Sequence, residues 1–386
     1  MPHRERPMRT EIITCGHKNR YESDLQRAAQ ALRAGALVVF PTETVYGVGA
    51  SALDAAALAR LRRLKQRSGG QPFTVHLARR SDARQYVGDP PPLARRLARK
   101  LWPGPLTLVL RVPAPERESI ARLCPADRLA EIYSQGRVGL RCPNDPVASA
   151  LLAQAGVPVV ASSANPAGRP PPTSLEEALS ALDGEVEFAL DAGPTRLRAA
   201  STIVEIEGHD WKIRRAGALD ERTIERLART EVLFVCTGNT CRSPLAEYLF
   251  RTQLAARLGF SLEELTRAGY VISSAGTAAA SGGEISPGSR AELTRRGIDP
   301  SAHRTRPLTV DLIQRCERIY TMSPEHRAAV LELVPAAADR TFDLDPAQPV
   351  RDPLGGEPRQ YEACAAQIER AVAARLEEFL NEDRDW

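Results

Sequence analysis

The sequence has no Cys-x2-Cys pair and no His-Glu-x-x-His, the spacings that gather thiolates or imidazoles around zinc. No structural or catalytic metal site is therefore expected. There is no Gly-x4-Gly-Lys-Ser/Thr stretch, which disfavours a P-loop ATPase. No apolar run is long enough to read as a membrane-spanning helix. The start, Met1-Pro2-His3-Arg4-Glu5-Arg6-Pro7, has no apolar core behind it, so no signal peptide and no membrane partner are expected. The seven cysteines are odd in number and irregular in spacing, which favours reduced thiols in a cytoplasmic protein over a disulfide framework. A net charge of +4 does not argue for a nucleic-acid face, though a local basic pocket can still hold phosphates.

What is present is 386 residues of ordinary soluble composition, 43% hydrophobic and 26% charged, long enough for two domains with separate cores. The second half is organised around Val232-Leu233-Phe234-Val235-Cys236-Thr237-Gly238-Asn239-Thr240-Cys241-Arg242-Ser243-Pro244, which reads as strand, tight loop and helix start. Ser243 is expected as the N-cap and Pro244 as the first helical residue. Backbone N–H groups at a helix start form an anion site, and the Arg242 fork can hold two phosphate oxygens. The same positive field favours the thiolate of Cys236, a nucleophile aimed at a bound phosphorus.

In the first half, residues 1–14 read as a loose leader, and Asp24–Arg33 as a helix with Leu25, Ala28, Ala29 and Leu32 on one face. Ala36–Phe40 follows as a buried strand. Pro41-Thr42-Glu43-Thr44-Val45-Tyr46-Gly47 puts hydroxyls and glycine straight after that strand, a ligand edge or a plain polar turn. Leu53–Arg67 reads as a helix ending in Lys65-Gln66-Arg67 beside Gly69-Gly70; these cations either cap the helix or bind phosphate. His76 lies in the strand Phe73–Leu77, where a structural role is the commoner one. Leu101–Leu110 reads as a helix stop, a rigid turn and a strand. Arg141 carries a charge into the apolar strand Val138–Arg141, so it needs either an anionic ligand or a protein carboxylate. Ser162-Ser163-Ala164-Asn165 forms a hydrogen-bonding edge after Pro158–Ala161. Ser201–Val204 and Ile213–Gly217 close the domain.

Five ordered blocks make residues 10–217 resemble the Sua5/YrdC family of threonylcarbamoyl-AMP synthases. They are Pro41–Gly47, Lys65-x-Arg67, Trp102-Pro103-Gly104-Pro105-Leu106-Thr107, Ser163-Ala164-Asn165 and Ser201–Val204. The resemblance implies a twisted α/β domain around a basic cavity. It implies a nucleotidyltransferase that makes threonylcarbamoyl-adenylate from L-threonine, bicarbonate and ATP, with magnesium, for t6A modification of tRNA. Lys65, Arg67 and Arg214 would hold the ATP phosphates, Ser163 and Asn165 the nucleotide. Thr44, His76, Arg141 and Ser201 would surround threonine and bicarbonate. Ser68 stands where the family usually has proline after Lys-x-Arg.

Residues 218–230 read as a charged helical linker, and 231–386 as a smaller α/β domain. Its strand and helix patterns alternate, which implies a small parallel sheet with helices on both faces. Asp352, in Arg351-Asp352-Pro353-Leu354-Gly355-Gly356, is a candidate general acid or the start of an ordinary Asp-Pro turn. Cys236-x5-Arg242-Ser243, Ser274–Thr277, His303-x-x-Arg306 and Asp352-Pro353, in that order, resemble the low-molecular-weight protein tyrosine phosphatases. The resemblance implies a cysteine-dependent hydrolase of phosphorylated proteins, needing no cofactor. Cys236 would be the nucleophile, Arg242 the phosphate binder and Asp352 the acid. Thr237, Gly238, Asn239, Thr240, Ser243 and His303 would shape the loop, and Cys241 would pair reversibly with Cys236 on oxidation.

Tyrosine-directed members usually carry an aliphatic residue in place of Thr240 and aromatics in place of Leu354-Gly355-Gly356. A flat aromatic wall suits phenyl; a hydroxyl and an open loop suit guanidinium. The loop is similar to that of the bacterial protein-arginine phosphatases, so phosphoarginine is the expected substrate and phosphotyrosine the alternative. Arsenate reduction is disfavoured, because only the widely separated Cys316 and Cys364 follow. A bifunctional enzyme is therefore expected. The other reading makes the first domain a non-catalytic nucleotide- or RNA-binding module.

Overall fold

The computed structural model describes residues 9–15, 21–66 and 72–383. The chain divides into two compact units, with the break between Leu227 and Ala228. Both are α/β.

The first unit is built on a ten-stranded mixed sheet. Its strands are β1 (Glu11–Thr14), β2 (Val38–Phe40), β3 (Gly47–Ser51), β4 (Thr74–His76), β5 (Leu106–Arg111), β6 (Arg137–Arg141), β7 (Val159–Ser163), β8 (Phe188–Asp191), β9 (Thr202–Glu207) and β10 (Asp210–Arg215). Across the sheet they run β1-β8-β2-β3-β7-β4-β6-β5-β9-β10. Residues expected in a loose leader instead form β1, which pairs parallel with β8 along Glu11–Thr14. The apolar stripe expected on the first helix, Tyr21–Arg33, faces inward: Leu25, Ala28, Ala29 and Leu32 are buried there. They pack with Val147, Ala148 and Leu151 of helix Pro146–Ala155 and with Val38, Phe40 and Val159.

The segment after β2 reads from sequence as a ligand edge or a plain polar turn, and its glycine Gly47 opens β3, which also holds Gly49. In the fold, a Cβ at Gly49 would lie 2.9 Å from the Phe40 ring and 3.3 Å from Val159 Cγ1. At this position glycine lets the Phe40 ring lie across the strand.

The helix Glu221–Leu227, expected in a linker, belongs to the first unit. Ile224 is buried, Lys100 Nζ donates to Leu227 O (2.9 Å) and Thr202 Oγ1 donates to Leu219 O (2.8 Å).

The second unit has four parallel strands: β11 (Thr230–Cys236), β12 (Tyr270–Gly276), β13 (Arg318–Thr321) and β14 (Thr341–Asp343), ordered β12-β11-β13-β14. Residues of β11 alternate between two cores. Val232, Phe234 and Cys236 pack with helices Arg242–Leu258 and Pro358–Asp383. Leu233 and Val235 pack with Leu312, Ile313 and Val330 on the other face. The strand is thus apolar throughout because both faces are covered. Its carboxyl end delivers Cys236 to the edge where ligands bind in open parallel sheets.

Candidate functional sites

In the first unit, strand register builds a row of polar side chains. His76 of β4 pairs with Arg141 of β6, and Arg141 pairs with Thr107 of β5. Side chains at paired positions share a face. Thr107 Oγ1 is 3.0 Å from Ser201 Oγ, just before β9. Arg141 Nη2 donates to Thr44 Oγ1 (2.5 Å), Thr42 Oγ1 (3.2 Å) and Glu43 Oε2 (3.1 Å). The fold therefore brings Thr44, His76, Arg141 and Ser201 together. It also answers the question of Arg141's partner with a protein carboxylate, Glu43, which sequence reasoning left in its motif unremarked. Arg141 and Glu43 are both buried, and a buried charge pair holds only with further hydrogen bonds of this kind. Among the described residues, Arg141 Nε and Glu43 Oε1 have no hydrogen-bond partner.

His76 Nδ1 lies 3.1 Å from Thr74 O. A carbonyl only accepts, so Nδ1 carries the proton and Nε2 keeps its lone pair. Burial, with the Arg141 charge as second cause, pushes the His76 pKa down to about 3, so the ring is neutral near pH 7.

Lys65, Ser163 and Asn165 also meet. Lys65 Nζ donates to Ser163 O (2.7 Å), to Asn165 O and to Asn165 Oδ1 (3.3 Å). A cavity of about 560 Å³ opens beside them, lined by Val45, Asn165, Arg169, Thr173 and Arg198 among others. Arg67 and Ser68 lie outside the described residues.

Arg214 does not join this group. It is half exposed and turned onto Glu205, an acceptor it shares with Lys212 and Arg137. Its neighbour Arg215 reaches the site instead, donating to Ser201 O (2.8 Å) and Ser201 Oγ (3.1 Å). A register shift between Ile213 and Arg215 decides which of the two arginines faces which way, and the Arg-Arg pair alone does not reveal it.

In the second unit, the loop from Cys236 to Arg242 closes over the start of helix Arg242–Leu258. The N-cap is Cys241, not Ser243 as expected. Ser243 serves the loop: its Oγ lies 3.0 Å from Cys236 Sγ and accepts from Asn239 Nδ2 (3.0 Å). Asn239 has φ +54°, a left-handed conformation that asparagine tolerates. It is anchored by Ser274 Oγ (2.8 Å), by the Arg306 N–H (2.9 Å) and by His303 Nε2 on its carbonyl (2.9 Å). Ser274 donates onward to buried Glu247 (2.6 Å), whose carboxyl burial pushes up. A Cβ on Gly276 would sit 2.5 Å from Thr237 O, so glycine is what lets β12 pass under the loop. Gly238 lies close to Thr240. Cys241 Sγ donates to Ser286 Oγ (3.2 Å).

Arg242 is buried and ion-paired with Asp352, which is 43% exposed at the rim. Arg242 Nη1 also donates to Val350 O (3.3 Å). The loop that begins at Cys236 and the segment that carries Asp352 thus meet at Arg242. Ser274 and Arg306 stand in blocks that carry the resemblance but had no role assigned; Glu247 carries no local sequence signal, and only the fold brings it to Ser274.

Residues 30–217 match the family model Sua5/YciO/YrdC, described as telomere recombination, and residues 231–385 match that of low molecular weight phosphotyrosine protein phosphatase. A threonylcarbamoyl-AMP synthase of Bacillus subtilis is 34% identical over 53% of this chain, which spans 56% of that relative's length. A putative threonylcarbamoyl-AMP synthase of Mycobacterium tuberculosis is 39% identical over 58% of this chain and 96% of its own. The chain belongs to the threonylcarbamoyl-AMP synthase family. The synthase relatives match its first unit, and its second is a low-molecular-weight phosphatase domain. A solved structure, Pyrococcus abyssi Sua5 with L-threonine, is 22% identical, with TM-score 0.50, over 93% of this chain and 98% of that one; the likeness is one of fold.

Among the described residues there is no group of three or more His, Cys, Asp or Glu side chains able to hold a metal ion. All seven cysteines are free, and no described helix is long and apolar enough to cross a membrane.

Proposed function

We propose that the first unit joins L-threonine, bicarbonate and ATP into threonylcarbamoyl-adenylate, releasing pyrophosphate, and that the product feeds a transfer machinery acting on tRNA. The observation that carries this reading is the row His76–Arg141–Thr107 with Thr44 and Ser201 around it. The threonine carboxylate and the bicarbonate would lie against Arg141, Thr44 and Ser201. Neutral His76 would accept a hydrogen bond from the threonine amine at Nε2 as the amine nitrogen adds to the bicarbonate carbon; an amine proton and a bicarbonate hydroxyl leave as water, giving the carbamate. The carbamate oxygen then attacks the α-phosphorus and pyrophosphate leaves. Lys65 orders the Ser163–Asn165 edge, and with Arg67 and Arg215 it supplies positive charge to the phosphates. Magnesium would arrive on the ATP phosphates, which need few protein carboxylates.

The second unit would hydrolyse phosphorylated proteins through a cysteinyl phosphate. Cys236 attacks phosphorus in line, Arg242 and the loop N–H groups hold the phosphoryl oxygens, and Asp352 protonates the leaving group. Asp352 then takes a proton from the water that frees phosphate. Phosphate entering the loop would draw Arg242 from Asp352 and free the carboxyl for this work. We read phosphoarginine as the substrate: Thr240 puts a hydroxyl in the loop, and Leu354-Gly355-Gly356 after the acid presents no aromatic wall. Phosphotyrosine is the alternative. Free thiols suit a cytoplasmic setting.

One set of assays on the full chain tests both halves. ATP- and threonine-dependent pyrophosphate release should occur and fall at least about tenfold in Arg141→Ala. ATP binding without release would favour a non-catalytic module. Phosphoarginine peptides should be cleaved faster than phosphotyrosine peptides, and Cys236→Ser should cleave neither. Faster tyrosine cleavage would keep the mechanism and discard the substrate.

A further inference from the structure

His326 belongs to none of the motifs above, yet the fold delivers it to the phosphate loop. It is buried near the start of helix Pro324–Leu333, the helix that follows β13. The direction of its hydrogen bonds is set from the far end. Ser323 bonds the Glu325 carboxylate, which can only accept, so the Ser323 proton goes there. Ser323 Oγ, 2.8 Å from His326 Nδ1, then accepts from Nδ1–H. In the neutral ring Nε2 is bare, and Thr237 Oγ1, 2.9 Å away, donates to it. Arg242 Nη2 donates to the same Thr237 Oγ1 at 3.3 Å. Asp352, Arg242, Thr237, His326, Ser323 and Glu325 form one chain, from the rim of the loop into the next helix.

We propose that His326 is a positioning residue of the phosphate loop: its neutral imidazole accepts the Thr237 hydroxyl, which steadies the Arg242 fork, and protonation breaks that link and weakens phosphate binding. The inference rests on the phosphatase reading of this unit.

Three charges face the ring. Arg242, on helix Arg242–Leu258, disfavours protonation; Glu325 on its own helix and Asp352 from the rim loop favour it. Burial, followed by Arg242, wins, and the His326 pKa is lowered from its ordinary value. The acceptor form is therefore held at neutral pH and lost as the pH falls through that lowered value. Protonated, Nε2 becomes a donor, the Thr237 hydroxyl faces two donors with no acceptor, and a second cation stands near Arg242.

The test uses the full chain, with inorganic phosphate as probe. Binding is measured by calorimetry from about pH 8 down to about pH 5, the range in which a histidine titrates. Wild type is compared with His326→Gln, whose side-chain oxygen can take the Thr237 proton but cannot titrate, and with His326→Ala. Phosphate's own ionisation is common to all three, so ratios are read. Wild type and His326→Gln should bind within about twofold at the upper end, and wild type should fall about fivefold below His326→Gln at the lower end, the loss of about one hydrogen bond to charge. His326→Ala should be weaker throughout. Should His326→Ala not fold, Thr237→Val cuts the same link from the other side and should show the same weakening.

A wild-type to Gln ratio that stays flat with pH overturns the proposal. So does wild type gaining affinity over Gln in acid, which would make the imidazolium a phosphate ligand. Turnover of phosphopeptides is scored separately. Absent Cys236-dependent turnover sinks the phosphatase reading, while the binding ratios still decide the role of His326.

Discussion

A cation inside an apolar strand needs compensation, and Arg141 has it in Glu43 and two threonine hydroxyls. The cost is borne next door. Burial and the Arg141 charge keep His76 neutral down to about pH 3, whereas in the unfolded chain the same ring protonates near its ordinary value of 6.5. The stability tied to His76 is therefore whole above about pH 6.5 and is lost as the pH falls toward the folded value, at up to about 1.4 kcal/mol per pH unit. His76→Gln should flatten the acid dependence of the first unit's melting, measured by calorimetry between about pH 6.5 and about pH 4. An unchanged slope would remove His76 as its source. In the second unit, Thr240→Ile trades the loop hydroxyl for a branched apolar side chain. It should shift the ratio of kcat/KM for phosphotyrosine over phosphoarginine peptides upward by about tenfold, and no shift would put selectivity elsewhere.

At the scale of elements, β10 shows how a local irregularity assigns roles. Ile213 pairs with Val204 and Arg215 with Ile203, so one residue is extra and Arg214 is left facing Glu205. Arg215 donates twice to Ser201, where burial and then the Arg141 charge lower its pKa. Arg215→Ala should raise KM for ATP or threonine at least about tenfold in pyrophosphate release, as expected for losing a charged hydrogen bond. Arg214→Ala should stay within about twofold, as for a half-exposed ion pair. The reverse order would reinstate Arg214. In the second unit, a seven-residue buried strand and a seventeen-residue helix hold the two ends of the Cys236 loop, which leaves Asn239 to take the strained turn.

At the scale of the whole molecule, two units with separate cores imply two independent sites. Chains 1–227 and 228–386, expressed separately, should each keep the activity of the matching half. Loss of both activities on splitting would mean that the sites depend on one another. A cut near Ala218 is different: it removes helix Glu221–Leu227 and with it buried Ile224 and the Lys100–Leu227 hydrogen bond. That should cost the first half about 1.5–3 kcal/mol, read as a lower melting temperature than that of chain 1–227.

Much of this was legible in the chain itself. Val232–Val235 is continuously apolar because the strand is covered on both faces, and such a run announces itself without neighbours. The Cys236–Arg242 loop was equally visible, since short-range spacing carries its chemistry, whereas Lys65 and Ser163, 98 residues apart, were grouped only through the resemblance. β1 was not, because four residues on the sheet edge take their order from β8, far along the chain. Nor was the cap: Ser243 has the right type for it, but Cys236 and Asn239 claim its hydroxyl. Sequence alone determined the two α/β units, which follow from residue type and local order, and it put forward Cys236, Arg242 and Asp352 as candidates. Only the tertiary structure decided that Glu43 compensates Arg141, that Arg215 donates to Ser201 while Arg214 meets Glu205, and that His326 stands behind Thr237. Each of these depends on which long-range neighbour satisfies a buried polar group, and that is settled by register and packing.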